Sequence, residues 1–215
     1  MLAMQTMVAP DGKEICLFPF EYMYISQNEN GQYSHANTYN IDFLGWGANG
    51  HINNCPFYAP CTLRCVAIWD AGSNTRVYQS VNPVHLADGT VDYLTINFTH
   101  DDNPPHNVGD MVLQGALLGR TGTTGNVTGD HIHSCCGKGQ YEGFTRREPG
   151  AGEAQGHFDL TNRAHYYDCC YVNDTVIVDG AGNPWVEYNG RVGRRGKKKF
   201  PWVLYARKLR SKHNF

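Results

Sequence analysis

Short apolar runs broken by clusters of Gly, Pro, Asn and Asp fill the chain, and no stretch carries a sustained helical period. Residues 14–26, from Glu14 through Phe18 and Phe20 to Ser26, are apolar and aromatic and lead into the body. Residues 38–46 predict a short strand in which Asp42 sits between Ile41 and Phe43. An acid so flanked needs a partner. Strands are expected over 57–69 and 76–81, separated by the turn Asp70-Ala71-Gly72-Ser73-Asn74. The Asp88-Gly89 step predicts a hairpin joining 82–87 to 91–99, and the second arm ends at His100. A loop with two prolines spans 101–107. Residues 108–115 predict a turn that re-enters the sheet, and 117–120 another short strand. The glycine-rich loop 122–129 then delivers His131-Ile132-His133. Residues 137–164, rich in Gly and charge, read as a long excursion, and 166–178 returns to strand character. No internal repeat is visible. The expected fold is mainly β, an antiparallel sheet with long loops and little helix.

Composition agrees with that reading. The 215 residues hold 24 glycines, 10 prolines and 41% hydrophobic residues, enough for one sizeable core rich in turns. No apolar run is long enough for a membrane-spanning helix. The first twenty residues lack a basic region followed by an apolar block, so no signal peptide is expected. The net charge of −2 conceals an asymmetry. Residues 191–215 carry ten Lys and Arg and no acid, while 1–190 carry eight Lys and Arg and twenty acids. Such a basic tail can bind nucleic acid, anionic cell-wall polymer or an acidic protein surface, or simply be a solvated arm. Trp202 to Tyr205 within it predict a strand. The eight cysteines match no Cys-x-x-Cys pattern, and without a signal peptide they are expected as buried free thiols. Strand alternation places Cys135 on the face of His131 and His133, where it lines the site or approaches Cys169 or Cys170.

The two histidines of His131-Ile132-His133 are the chemical signal. On a strand both imidazoles point to one face, about 6–7 Å apart. One can bind a metal while the other works beside it. His35, Asp42 and His133 form a set of two nitrogens and a carboxylate suited to catalytic zinc, with a position left open for water. His131 and His100 would flank that water as proton acceptor or oxyanion donor, which points to metal-assisted amide hydrolysis. His51 is the alternative nitrogen to His35. His85, His106, His157, His165 and His213 have no comparable context. A phosphate-binding role for 122–129 is disfavoured, since no Lys-Ser/Thr follows and the loop enters a strand.

The run from Asn107 through Gly109-Asp110, Gly115, Gly119 and Thr121-Gly122 to His131-Ile132-His133 resembles the lysostaphin-type (LytM-like) zinc endopeptidases. Phe57-Tyr58-Ala59-Pro60 is similar to an early segment of that family, and Tyr93–His100 to the strand ending in its separate active-site histidine. The resemblance covers roughly residues 31–136. It implies His35, Asp42 and His133 as zinc ligands and His131 and His100 as catalytic residues. It also implies an antiparallel sheet with a central groove and cleavage of peptide bonds in bacterial peptidoglycan. Two departures stand out. Six residues separate His35 from Asp42 where the family usually has three, and Ser134-Cys135-Cys136 replaces an aromatic-acidic continuation. A longer loop between ligands is tolerable because closure entropy grows slowly with length.

The organisation expected is a lead-in over 1–30, a zinc peptidase domain over 31–190 with an insertion at 137–164, and a basic tail over 191–215. Trp185 and Trp202 would belong to a small wall-binding or assembly element. Without a signal peptide, the resemblance points to a phage lysin or a tail-associated lytic enzyme, in the virion or in the host cytoplasm before release. Its partners would be peptidoglycan peptide and, through the tail, phage tail proteins or anionic wall polymer. Neither nucleic acid nor a membrane span is expected. The alternative is an inactive, peptidase-like adaptor of a phage particle.

Overall fold

The computed structural model describes residues 5–20, 22–31, 33–47, 49–149, 157–171 and 176–179. The basic tail, Trp185, Trp202 and His213 lie outside the described residues. Chain order runs β1 (Tyr22–Gln27), β2 (Ile41–Gly47), β3 (Gly50–Ile52), β4 (Pro56–Tyr58), β5 (Leu63–Asp70), β6 (Thr75–Ser80), β7 (Val84–His85) and β8 (Val91–Asp92). It continues with β9 (Leu94–Thr99), β10 (Met111–Val112), β11 (Leu117–Arg120), β12 (Ile132–Lys138), β13 (Phe144–Arg146), β14 (Phe158–Leu160), β15 (Arg163–Ala164), α1 (Tyr166–Cys169) and β16 (Val176–Asp179). The main sheet has the order β10-β5-β6-β9-β12-β2-β1-β16, with β3 beside β2 and β15 beside β12. Its pairs are antiparallel except β1 with β16. The fold is therefore mainly antiparallel β with very little helix, as the turn-rich pattern predicts.

Alternation along β2 sends Ile41, Phe43 and Gly45 inward and Asp42, Leu44 and Trp46 to the opposite face. Below the sheet, Phe18, Phe20, Phe43, Phe57, Phe98 and Tyr166 form a buried aromatic cluster with ring centroids 4.5–6.4 Å apart. The apolar lead-in thus supplies core side chains, and β1 joins the sheet itself. Every residue of β9 is buried, because both of its faces are covered. On the second face Leu160 packs with Val77 and Cys135, and Tyr141 and Phe144 lean against them. The excursion after β12 therefore folds back as the β13–β14 hairpin, and β15 pairs with the end of β12.

Three sequence expectations are corrected. The strand expected over 57–69 is two strands. Pro60 turns the corner, and its carbonyl accepts the Leu17 and Gln114 amides. As a result β4 pairs with β11 while β5 pairs with β6 and β10. The strand expected from Tyr166 begins instead as the single helical turn α1. Glu29 accepts the Tyr166 N–H and pairs with His165, which satisfies the start of that turn. The turn lets Tyr166, Cys169 and Cys170 all face the core, which strand alternation would forbid. Finally, Cys135 neither lines the site nor meets Cys169 or Cys170. It is fully buried on the second face, with its thiol 2.8 Å from Asn97 Oδ1. Its neighbour Cys136, on the aromatic face, approaches Cys170 at 4.0 Å, and Cys16 approaches Cys170 at 3.7 Å.

Phe43 anchors the strand that presents Asp42. Phe43→Ala is expected to lower stability by about 3–5 kcal/mol, read as a lower urea midpoint with an unchanged slope.

Candidate metal centre

Register brings two of the expected ligands together. In the β12–β2 pair His133 lies directly opposite Asp42, and alternation turns both away from the aromatic core. His133 Nδ1 stands 3.0 Å from Asp42 Oδ1. The third expected ligand arrives on the loop between β1 and β2. His35 Nε2 lies 3.3 Å from Asp42 Oδ1 and 3.2 Å from His133 Nδ1. His35, Asp42 and His133 are the group of side chains able to hold a metal ion among the described residues. Their side chains are 1%, 13% and 16% exposed.

The donor set fits zinc. Ligands about 2.0–2.1 Å from a tetrahedral ion are about 3.3 Å from one another, close to the three separations observed. His35 Nδ1 donates to the Asn28 carbonyl at 3.2 Å, which leaves Nε2 as a lone pair aimed at the other two. Burial pushes His133 below the ordinary imidazole range, so it stays neutral. Burial opposes the charge on Asp42, but the imidazoles of His35 and His133 outweigh it and hold the carboxyl well below its usual range. An ionised Asp42 and a neutral His133 are protonation states that suit a divalent cation.

His131 and His100 stand beside this group. His131 Nδ1 donates to the Gly129 carbonyl at 2.8 Å, and its Nε2 lies 3.8 Å from Asp42 Oδ1. His100 Nδ1 donates to the Thr124 carbonyl at 2.8 Å. In both rings this leaves Nε2 as the second nitrogen, free of that carbonyl. The His100 and His131 ring centroids are 4.8 Å apart. Burial, and then the neighbouring His133 and His131, push His100 down to about 4.

The glycine-rich ramp explains how His100 is held. His100 has φ +86°, a left-handed conformation that costs a residue with a side chain of order 1–3 kcal/mol. Its N–H donates to Ser73 O and its carbonyl accepts Thr124 N–H. Gly122 passes so close that a Cβ there would lie 2.3 Å from His100 O and 2.6 Å from Asp102 N. Asp102 in turn accepts the Thr123 N–H and the Thr124 hydroxyl.

The remaining histidines separate from the site. His51, the alternative nitrogen, pairs across to Trp46, and its Nε2 lies 4.0 Å from Asp130. His85 binds Asp11, His106 meets Tyr78, and His165 binds Glu29. His157 stands nearer, its ring 6.4 Å from that of His35. Sequence reasoning missed Gln27, whose Nε2 donates to Asp42 Oδ2 at 3.0 Å. Nothing in its sequence context marks it.

No protein-family model matches the chain. The chain is 35% identical over 176 residues to Morphogenesis protein 1 of Bacillus phage B103, a match that covers 81% of this chain and 44% of that protein. It thus spans less than half the length of this relative. Among solved structures it is similar to the catalytic domain of the antimicrobial peptidase lysostaphin from Staphylococcus simulans, at 20% identity over 55% of this chain and 79% of that one, with a TM-score of 0.39. It is also similar to a mutant catalytic domain of the prophage-encoded M23 protein EnpA from Enterococcus faecalis, at 15% identity over 55% and 82%, with a TM-score of 0.40. A zinc-containing peptidase from Vibrio cholerae matches at 18% identity over 61% and 42%, with a TM-score of 0.38.

Gly122→Ala is expected to displace His100, because the added methyl meets backbone on two sides. The imidazole resonances of His100 should shift in an NMR spectrum while those of the distant His85 stay in place.

Proposed function

We propose that the chain is a zinc-dependent endopeptidase that hydrolyses peptide bonds of bacterial peptidoglycan, as a phage lysin or a lytic component of the virion tail. The convergence of His35 Nε2, Asp42 Oδ1 and His133 Nδ1 within 3.0–3.3 Å, with two imidazole bases alongside, carries this reading. Bound zinc supplies Lewis acidity and an acidified water at neutral pH. With zinc held by His35, Asp42 and His133, His131 Nε2, beside the carboxylate, would serve as a proton acceptor. His100, pushed down to about 4 by burial and so neutral at working pH, would be a second, weaker acceptor. An imidazolium formed there is costly in its buried setting and readily passes its proton to the departing amine.

A second reading is supported by the relative's name, Morphogenesis protein 1. Under it the chain is a particle component in which the metal group is structural. The two readings part on turnover.

His133→Ala should abolish both zinc retention, read by metal analysis, and clearing of a cell-wall suspension. His131→Ala should retain zinc and lose turnover by about 10²–10⁴-fold. A chelator should silence the protein and added Zn2+ restore it. A zinc-loaded wild-type protein that cleaves no wall peptide would leave the structural reading standing and end the enzymatic one.

A further inference from the structure

The loop that carries His35 is longer than the strand pairing needs, so something must fix it relative to Asp42. The pairing of β1 with β2 slips between Ile25 and Gln27, and this bulge places Gln27, not Ser26, opposite Asp42. Three hydrogen bonds then hold the Gln27 amide. Nε2 donates one hydrogen to Asp42 Oδ2 at 3.0 Å and the other to Ser34 Oγ at 2.7 Å. Oε1 accepts the Ser34 N–H at 2.8 Å. The needs of the carboxylate and of Ser34 N–H fix which end of the amide faces which partner. Ser34 directly precedes His35. Gly31 completes the arrangement, because a Cβ there would lie 2.6 Å from Gln27 Cγ and 2.9 Å from Asn28 O. Asn28 O is also the acceptor for His35 Nδ1–H.

We infer that Gln27 is a positioning residue of the metal centre: one side-chain amide locks the Asp42 carboxylate to the loop that presents His35, and Gly31 leaves the room it needs. The inference rests on the reading of His35, Asp42 and His133 as zinc ligands. Gln27 orients the oxygen that faces the other ligands by holding the opposite oxygen of the same carboxylate. Apolar replacement of such an outer partner leaves the ligand atoms present but free to rotate.

The full chain, stripped of metal, is titrated with Zn2+ in competition with a chromophoric chelator at a temperature where all variants are folded. Gln27→Met, of similar length and without hydrogen bonds, should weaken zinc binding about 10–100-fold. Gly31→Ala should weaken it in the same direction, because the added methyl meets Gln27 Cγ and displaces the amide. A merely structural amide would lower the unfolding temperature and leave zinc affinity unchanged. Unchanged affinity in Gln27→Met and in Gly31→Ala, with wild type binding zinc, overturns the inference and spares the ligand set. Failure of wild type itself to bind zinc overturns the ligand reading, and the role of Gln27 with it.

Discussion

The pairing of β12 against β2 is the constraint on which the rest depends. It sets His133 across from Asp42 and turns both to the face opposite Phe43 and Ile132. A slip of one residue would send the histidine and the acid into the aromatic cluster. The buried residues on either side of each polar one make that slip very costly. The register of the candidate ligands is therefore enforced by hydrophobic burial on the other side of the sheet. The same strand pairs with β9 on its other edge, where His133 lies opposite Thr99. One central strand thereby relates the ligand group to His100, the residue that follows β9.

Around this frame the polar groups are held by the backbone. His35, His131 and His100 each donate Nδ1–H to a main-chain carbonyl, of Asn28, Gly129 and Thr124 respectively. Each thus presents Nε2 toward the group. Carbonyls fix a tautomer without adding a competing charge. The site gains three defined rings while Asp42, among the described residues, is the carboxylate whose oxygen meets His35, His131 and His133.

Much of this was legible in the chain. The alternation Ile41-Asp42-Phe43 signals an acid on a strand with a buried opposite face, and His131-Ile132-His133 signals two imidazoles on one side. Both signals have period two, and both appear in the fold. The glycines at 122 and 125 were visible as a ramp, but the reason for them was not. Gly122 accommodates the backbone of the left-handed His100, about twenty residues away, and Gly125, itself at φ +99°, passes close to Ser73. The choice of His35 over His51 was also beyond the pattern, since it depends on how a long loop folds back. Gln27 was invisible because a bulge, which leaves no mark in the periodicity, decides which residue faces Asp42. Tyr166 and Tyr167 read as extended because aromatic residues favour strands. A buried carboxylate, Glu29, overrode that preference by capping a helical turn.

Asp42 and Phe43 are neighbours in sequence but look into different worlds. The aromatic cluster lies on one side of the sheet, and the candidate ligands Asp42 and His133 lie on the other. The hydrophobic scaffold is thus built without these polar side chains, unlike small domains whose only interior is their metal. Evolution could retune, weaken or discard the chemistry on the polar side by single substitutions, while the same architecture persists as a building part.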